Sequence, residues 1–213
     1  MSTIFKDPIL FVGAHADDIE INAGATISKL VNEGHNVRIA VMTHQNNTTR
    51  RKELSESLRV LDIPEDRLHH FAFIDTELYS WVSDMIKVLD QIINQHKIKT
   101  IFTHFHADTH QDHAAVSQAS VAAGRNVDNI IFYKPTYPSG RTDIPFNSNL
   151  VIDLDEKYVD TKVEALAQHK SQIIKYGDES YLKAIKDICH SDSWVYGGKL
   201  GFAEIFQISR MKL

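Results

Sequence analysis

The chain alternates between two hydrophobic periods. Ile9–Ala14 (ILFVGA) is a short unbroken apolar run, the pattern of a strand buried on both faces of a parallel sheet. Glu20–Gly34 changes to helical spacing: Ile21, Ala25, Leu30 and Val31 share a face, and Gly34 suits a C-terminal cap. The same change then recurs. Val37–Met42 reads as a strand, Arg50–Leu61 as a helix stopped by Pro64, and Leu68–Phe73 as a third strand. Trp81–His96 is helical through Val82, Met85, Ile86, Leu89, Ile92 and Ile93. Thr100–His104 and Ile130–Tyr133 are strands on either side of an alanine-rich helix, His113–Arg125. Pro135–Asn149 is a loop, either a cover for a substrate or a plain connector. A strand at Leu150–Leu154, a helix over Lys157–His169 and a strand at Gly201–Ile208 complete the pattern.

Strand–helix alternation predicts an α/β fold: a mostly parallel sheet covered by helices on both faces, a Rossmann-like three-layer arrangement with right-handed crossovers. Such sheets bind ligands outside the carboxyl ends of their strands. With no internal repeat, the 213 residues read as one domain, 1–213.

Composition narrows the function by exclusion. A net charge of -5, without a Lys/Arg-rich run, argues against a nucleic-acid partner. A lone cysteine, Cys189, excludes an intrachain disulfide and a thiolate-rich zinc knot, and suits a reducing compartment. The first residues carry no signal-peptide pattern, and no apolar stretch approaches the roughly 20 residues of a membrane span. A cytoplasmic protein is expected, with a homo-oligomeric state left open. Histidine stands out: of twelve, His104, His106, His110 and His113 fall within ten residues.

Two clusters carry the chemistry, each directly after an expected strand. In Gly13-Ala14-His15-Ala16-Asp17-Asp18-Ile19-Glu20, adjacent aspartates diverge, so one can bind a metal while its neighbour faces the open coordination position. The plainer reading is a loop whose carboxylates cap the following helix. In His110-Gln111-Asp112-His113, the two histidines share a face if helical, and Asp112 can orient an imidazole. Both clusters belong at the same sheet edge, which favours a metal centre. The chain has no HExxH helix, no GxSxG elbow, no GxGxxG and no phosphate-binding GxxxxGK[ST], so serine-hydrolase, dinucleotide and P-loop chemistry find no support.

These motifs resemble those of the LmbE-like (PIG-L) family of zinc-dependent N-deacetylases. AHADDIE (Ala14–Glu20) matches the family's AHPDDE-type motif, and HQDH (His110–His113) its HPDH-type motif. Gly24-Ala25-Thr26-Ile27, Arg50 with Glu53, Asp108-Thr109-His110, His169-Lys170-Ser171-Gln172 and Ala203-Glu204-Ile205-Phe206 extend the likeness along the chain. Ala16 and Gln111 stand where the family usually has proline, so loop stiffness is expected to differ. The resemblance implies a Zn2+ ion held by His15, Asp18 and His113, with Asp17 as general base. It implies His110 as the cationic partner of the oxyanion and Asp112 as the carboxylate that orients it. It further implies an N-acetylglucosamine-type sugar or glycoconjugate as the small-molecule substrate, giving acetate and a free amine.

Arg50 and Asp108 are candidate substrate-binding residues; Arg50 is equally explained by pairing with Glu53 or Glu56 on its own helix. His104 and His106 read as strand-end residues, His35, His69, His70, His96 and His169 as surface or structural, and Trp81 and Trp194 as packing residues. Two rival functions share the scaffold: an amidase for a larger acyl group, and a non-catalytic metal- or sugar-binding module. Asp17 argues against the module, because holding zinc requires no neighbouring base.

Overall fold

A computed structural model describes residues 5–136 and 144–212, so positions 137–143 of the expected Pro135–Asn149 loop lie outside the described residues. Among the described residues, seven strands form one sheet: β1 (Ile9–Gly13), β2 (Val37–Thr43), β3 (Leu68–Phe73), β4 (Thr100–Thr103), β5 (Asn129–Tyr133), β6 (Leu150–Leu154) and β7 (Phe202–Arg210). Their order is β3-β2-β1-β4-β5-β7-β6. The first five are mutually parallel, and β7 runs antiparallel to both β5 and β6. The described residues also form seven α-helices: α1 (Asp18–Asn32), α2 (Thr48–Val60), α3 (Val82–His96), α4 (Gln111–Ala123), α5 (Glu156–Leu166), α6 (Lys170–Tyr176) and α7 (Asp178–Tyr196).

The continuous apolar strands arise because both sheet faces are covered. On β1, Ile9 and Phe11 pack with Ile19, Ile27 and Leu30 of α1 and Leu54 and Leu58 of α2. The intervening Leu10 and Val12 pack on the other face with Met85 and Leu89 of α3 and Ala115 and Ala119 of α4. This is the three-layer arrangement expected. The strand order grows outward from β1 to β3, then returns to place β4 on the other side of β1. That reversal opens a crevice at the carboxyl ends of β1 and β4, the position where doubly wound sheets bind ligands.

Differences from expectation fall mainly in the last fifty residues. The helix expected over Lys157–His169 ends at Leu166, and α6 restarts at Lys170. The break follows from His169, which is turned inward with its Nε2 3.0 Å from Glu20 Oε1, both side chains fully buried. Helices α6 and α7 were not anticipated. Trp194 on α7 does not pack; it is 86% exposed, while Trp81 lies against Phe73.

A second buried charge ties the layers. Glu204 of β7 accepts hydrogen bonds from the amides of Ala25 (3.2 Å) and Thr26 (2.7 Å) in α1 and from Lys162 Nζ of α5 (2.6 Å). Gly24 permits this approach: a Cβ there would lie 2.9 Å from Lys162 Cγ.

Two stability predictions follow. Lys162→Met leaves a buried carboxylate unpaired and is expected to cost about 3–5 kcal/mol in denaturant unfolding. Lys162→Met combined with Glu204→Gln should cost less than Lys162→Met alone; equal losses would show that the charge is not the cause. The second concerns His69, whose ring faces His96 (centroids 5.1 Å apart). Burial, then His96, then Arg38, push His69 down to about 4 from 6.5. The unfolded chain therefore binds a proton that the native state refuses, so this contribution is complete above pH 6.5 and is lost as pH falls towards 4. Urea titrations across that window should show a shallower pH dependence in His69→Gln than in wild type.

Candidate functional site

The first cluster is built by a tight exit from β1. A Cβ at Gly13 would stand 2.9 Å from Ile19 Cγ1, so only glycine lets the strand turn this closely into α1. The backbone N–H of His15 donates to Asp18 Oδ2 at 2.7 Å, which draws that carboxylate back over the strand end. Asp17 is the N-cap residue of α1, yet its side chain makes no capping bond. It accepts instead from Arg50 Nη2 at 2.9 Å. The helix-capping explanation of this cluster therefore fails for Asp17.

The second cluster opens α4. His110 is the N-cap residue, and its Nδ1 accepts the N–H of Asp112 at 3.2 Å. His110 and His113 stack with ring centroids 4.4 Å apart, and His104, from the end of β4, stacks on the other side of His113 at 3.9 Å.

The clusters meet at Asp18. Its Oδ2 lies 3.3 Å from His15 Nδ1, and its Oδ1 lies 3.3 Å from His113 Nε2. Donors held at about 2.0–2.1 Å around a tetrahedral zinc stand about 3.3 Å from one another, so these spacings suit such an ion. Compact donor sets at this edge are His15, His110 and His113; Asp18, His104 and His113; and His15, Asp75 and Asp112. Two imidazoles and a carboxylate form a typical catalytic-zinc donor set. His104 is less suited to the task. Its Nε2 lies 3.2 Å from Asp18 Oδ2, but it already accepts the Ala14 N–H at 3.1 Å. The ring is thus a central buried residue, held neutral with its pKa pushed down to about 4 by burial and by His113.

Each central imidazole is locked from its far side. His113 Nδ1 lies 2.9 Å from Asp108 Oδ2, and His15 Nε2 lies 3.2 Å from Asp112 Oδ2 and 3.0 Å from Asp75 Oδ1. Such carboxylate–histidine pairs set the tautomer and leave the opposite nitrogen for a metal. Burial opposes charge on His15 and His113. Asp18 outweighs it only together with Asp112 and Asp75 at His15 and with Asp108 at His113. His15 is raised well above its ordinary value and His113 to about 9. The centre calls for positive charge, and a metal would compete with these protons.

Three of the expected residues make contacts other than those foreseen. The Asp112 carboxylate does not meet His110. It is taken by the amides of Thr76 (2.7 Å) and Leu78 (3.1 Å) and by His15, and only the backbone N–H of Asp112 meets His110. Nor does His110 sit where a cation is favoured, since burial, then His113 and His15, push its pKa down. With Nδ1 accepting, it presents a neutral Nε2–H. Asp108, expected at the substrate, lines the pocket, with Oδ2 2.9 Å from His113 Nδ1 and Oδ1 accepting the amide of His110 (2.8 Å). Arg50 combines both readings. It holds Asp17 and the Ala16 carbonyl, approaches Glu53 at 3.6 Å, and lines the pocket.

That pocket has a volume of about 530 Å³. Beyond the histidines and aspartates, Asn22, Thr49, Arg50, Lys175, Tyr176 and Tyr181 form its walls. His44 and Asp75 escaped the sequence reading, although His44 directly follows β2 and Asp75 closely follows β3, the same strand-end positions that flagged His15 and His104. Lys175, Tyr176 and Tyr181 were missed because α6 and α7 were.

A model of the PIG-L family, described as GlcNAc-PI de-N-acetylase, matches residues 10–124, more than half of the chain. The chain belongs to the PIG-L family. Within the reach of this PIG-L membership, the uncharacterized deacetylase YaiS of Escherichia coli (strain K12) is 35% identical over 173 residues, covering 76% of this chain and 90% of YaiS. The conserved protein TT1542 from Thermus thermophilus shares the fold with a TM-score of 0.79 at 22% identity, over 96% of each chain. The N,N'-diacetylchitobiose deacetylase of Pyrococcus horikoshii does so with a TM-score of 0.72 at 21% identity, over 94% of this chain and 82% of that one. Among the described residues no helix is long and apolar enough to cross a membrane.

The locking carboxylates lead to a prediction about metal affinity. Asp108→Asn and Asp112→Asn should each weaken zinc binding about 10–100-fold, measured by competition with a chromophoric chelator. If Asp112→Asn binds zinc as wild type does, its bond to His15 has no part in holding an ion.

Proposed function

We propose that this protein hydrolyses the N-acetyl group of an N-acetylglucosamine-type sugar derivative, releasing acetate and a free amine. The observation that carries the reading is the placing of Asp18 between His15 Nδ1 and His113 Nε2, with Asp17 beside it facing the pocket. His15, Asp18 and His113 would hold zinc. Bound there, zinc would supply Lewis acidity toward the amide carbonyl and bring a water close to ionisation near neutral pH.

The chain's own groups divide the remaining work. Asp17, fixed by Arg50 Nη2, takes the proton of the attacking water. His110, oriented through its Nδ1 by the Asp112 amide, directs Nε2–H at the carbonyl oxygen as negative charge develops there. Asp17 then returns its proton to the departing amine, so protons balance over the cycle. The volume of about 530 Å³ lies within the usual range for small-molecule sites, and its hydroxyl, amide and guanidinium lining suits a sugar.

The adjacent aspartates provide the test, read as acetate release from a panel of N-acetylated sugars and longer N-acyl amines, with and without a chelator. Asp17→Asn should keep zinc and lose kcat by a factor on the order of 10²–10⁴. Asp18→Ala should lose zinc, and excess zinc should partly restore it. His110→Ala should keep zinc and lose ~10²–10³ in turnover. A zinc-loaded protein that binds N-acetyl sugars but releases no acetate would replace this reading with a binding module, and preference for longer acyl groups would make it an amidase.

A further inference from the structure

Helix α7 ends with its polarity reversed. In its last turns Asp192 and Ser193 are buried, while Trp194, Val195 and Tyr196 are exposed, as is Leu200 just beyond. Asp192 turns inward to meet Lys134 Nζ at 2.5 Å. A run of exposed apolar side chains is unfavourable in water unless another surface covers it. These four side chains present on the order of 500 Å² to solvent. A standard interface takes about 800 Å² from each partner, so this end of the helix supplies more than half of one.

The stripe that leads to this end has its own order. Lys183, Asp187, His190 and Trp194 are all exposed and recur at intervals of four, three and four residues, the spacing of a helix-pairing seam. Lys186, on the flank, is already taken by Glu156 and Asp160. Lys183 and Asp187 are one turn apart, yet among the described residues neither has an ion-pair partner. His190 is held edge-on against Phe202, with ring centroids 5.6 Å apart. None of the four stripe residues lines the pocket.

We propose that α7 pairs antiparallel with α7 of a second copy of this chain, about a twofold axis that passes between Ile188 and Cys189. About that point Lys183 of one copy falls opposite Trp194 of the other, and Asp187 falls opposite His190. The first pair sets a cation on an indole. In the second, an imidazole N–H donates to a carboxylate. The axis repeats both pairs, so four residues make four contacts. A twofold interface requires this self-complementarity, with residue i meeting j and j meeting i, whereas an unrelated partner has no need of it. A register shifted by one turn would set Asp187 against Lys183 and leave Trp194 without a seam partner. Tyr181, which lines the pocket, lies on the buried side of the same helix, so the second copy backs that wall from behind.

Sedimentation equilibrium of the full chain tests the pairing. Wild type should give roughly twice the chain mass of 24.2 kDa, or a larger even assembly. Trp194→Ala and Asp187→Lys should each halve the assembly, the first by removing the apolar end and the second by setting two cations face to face. Asp187→Lys combined with His190→Asp should restore it, because opposite charges again meet across the axis; in the shifted register the new lysine would still face Lys183. Near-ultraviolet circular dichroism checks that each variant is folded, and all substituted positions are exposed. A standard interface holds at micromolar concentration or below, so a wild type that stays monomeric at about 100 μM overturns the proposal. So does an assembly of odd order, one that both single variants leave intact, or a charge exchange that fails to restore pairing.

Discussion

A carboxylate removed from water needs donors or positive charge at both of its oxygens, and Asp18 imposes that demand on everything around it. It is 6% exposed. One oxygen is met by the His15 amide and imidazole, the other by His113. No single segment can supply these partners. His15 leaves β1, His113 lies in the first turn of α4, and about a hundred residues separate them. The strand order resolves this by setting β4 beside β1, so that the loops leaving both strands open into one crevice. Asp108 and Asp112 then hold the outer nitrogens of the two imidazoles, and the loop after β3 holds Asp112 through the amides of Thr76 and Leu78. The site is a chain of acids and histidines in which each member limits the freedom of the next.

The same logic extends outward from α1. Glu20, two residues beyond Asp18, is buried and accepts from the Ser57 hydroxyl of α2 while meeting His169 at the start of α6. Burial opposes its ionisation, but His169, in charge and hydrogen bond, prevails and lowers its pKa. Glu53 of α2 accepts both the amide and the hydroxyl of Ser171 in α6. These two acids fasten α6, which carries Lys175 and Tyr176 into the pocket, to the two helices that carry Asp17, Asp18 and Arg50. The wall of the pocket is therefore joined to the edge of the sheet by hydrogen bonds to buried carboxylates rather than by apolar packing alone. Buried charge of this kind adds little net stability relative to a packed apolar core, but it penalises any other placement of the helices.

What could be read from the sequence follows from which signals are local. The strands β1 to β6 and helices α1 to α4 announce themselves through runs such as ILFVGA and spacings such as Met85, Leu89 and Ile92, because each is set by neighbours within a few residues. Strand β3 and strand β6 match the expected ranges residue for residue. The direction of β7 could not be read, since antiparallel pairing with β5 and β6 depends on the path of α7 and leaves no mark on FAEIFQISR. Helix α7 did leave a signal, with Ile185 and Cys189 four apart and both buried, though its exposed Trp194 and Val195 blur the amphipathic pattern. At the site, residue types and strand-end positions pointed to the two clusters, the family resemblance pointed to His15, Asp18 and His113 within them, and these three do converge. Partner choice was less accessible. Asp112 sits between two histidines in sequence yet serves a third from another strand, because its place in the first turn of α4 turns the carboxylate toward β1 rather than back to His110.

The two departures from the family motif show how one constraint can be met by different means. Proline would stiffen each loop by fixing its own φ and restricting the residue before it. Here Ala16 is fully buried, and its carbonyl accepts from Arg50 Nη2 at 3.2 Å, the nitrogen that also holds Asp17. Gln111 reaches across with Nε2 to the Thr76 carbonyl at 2.6 Å, tying the start of α4 to the loop whose amides hold Asp112. At Gln111 a side-chain hydrogen bond thus stands where a ring would, whereas at Ala16 the Arg50 bond uses a backbone carbonyl that proline would also offer. The substitution changes the character of the restraint as well as its source. A proline ring acts only on its own residue and the one before it, whereas the Gln111 side chain binds the second cluster to the loop after β3, as Arg50 of α2 binds the first. The rigidity of this centre is therefore tertiary: it exists only when the sheet edge is assembled, and a disturbance of α2 or of the β3 loop reaches Asp17 and Asp112 directly.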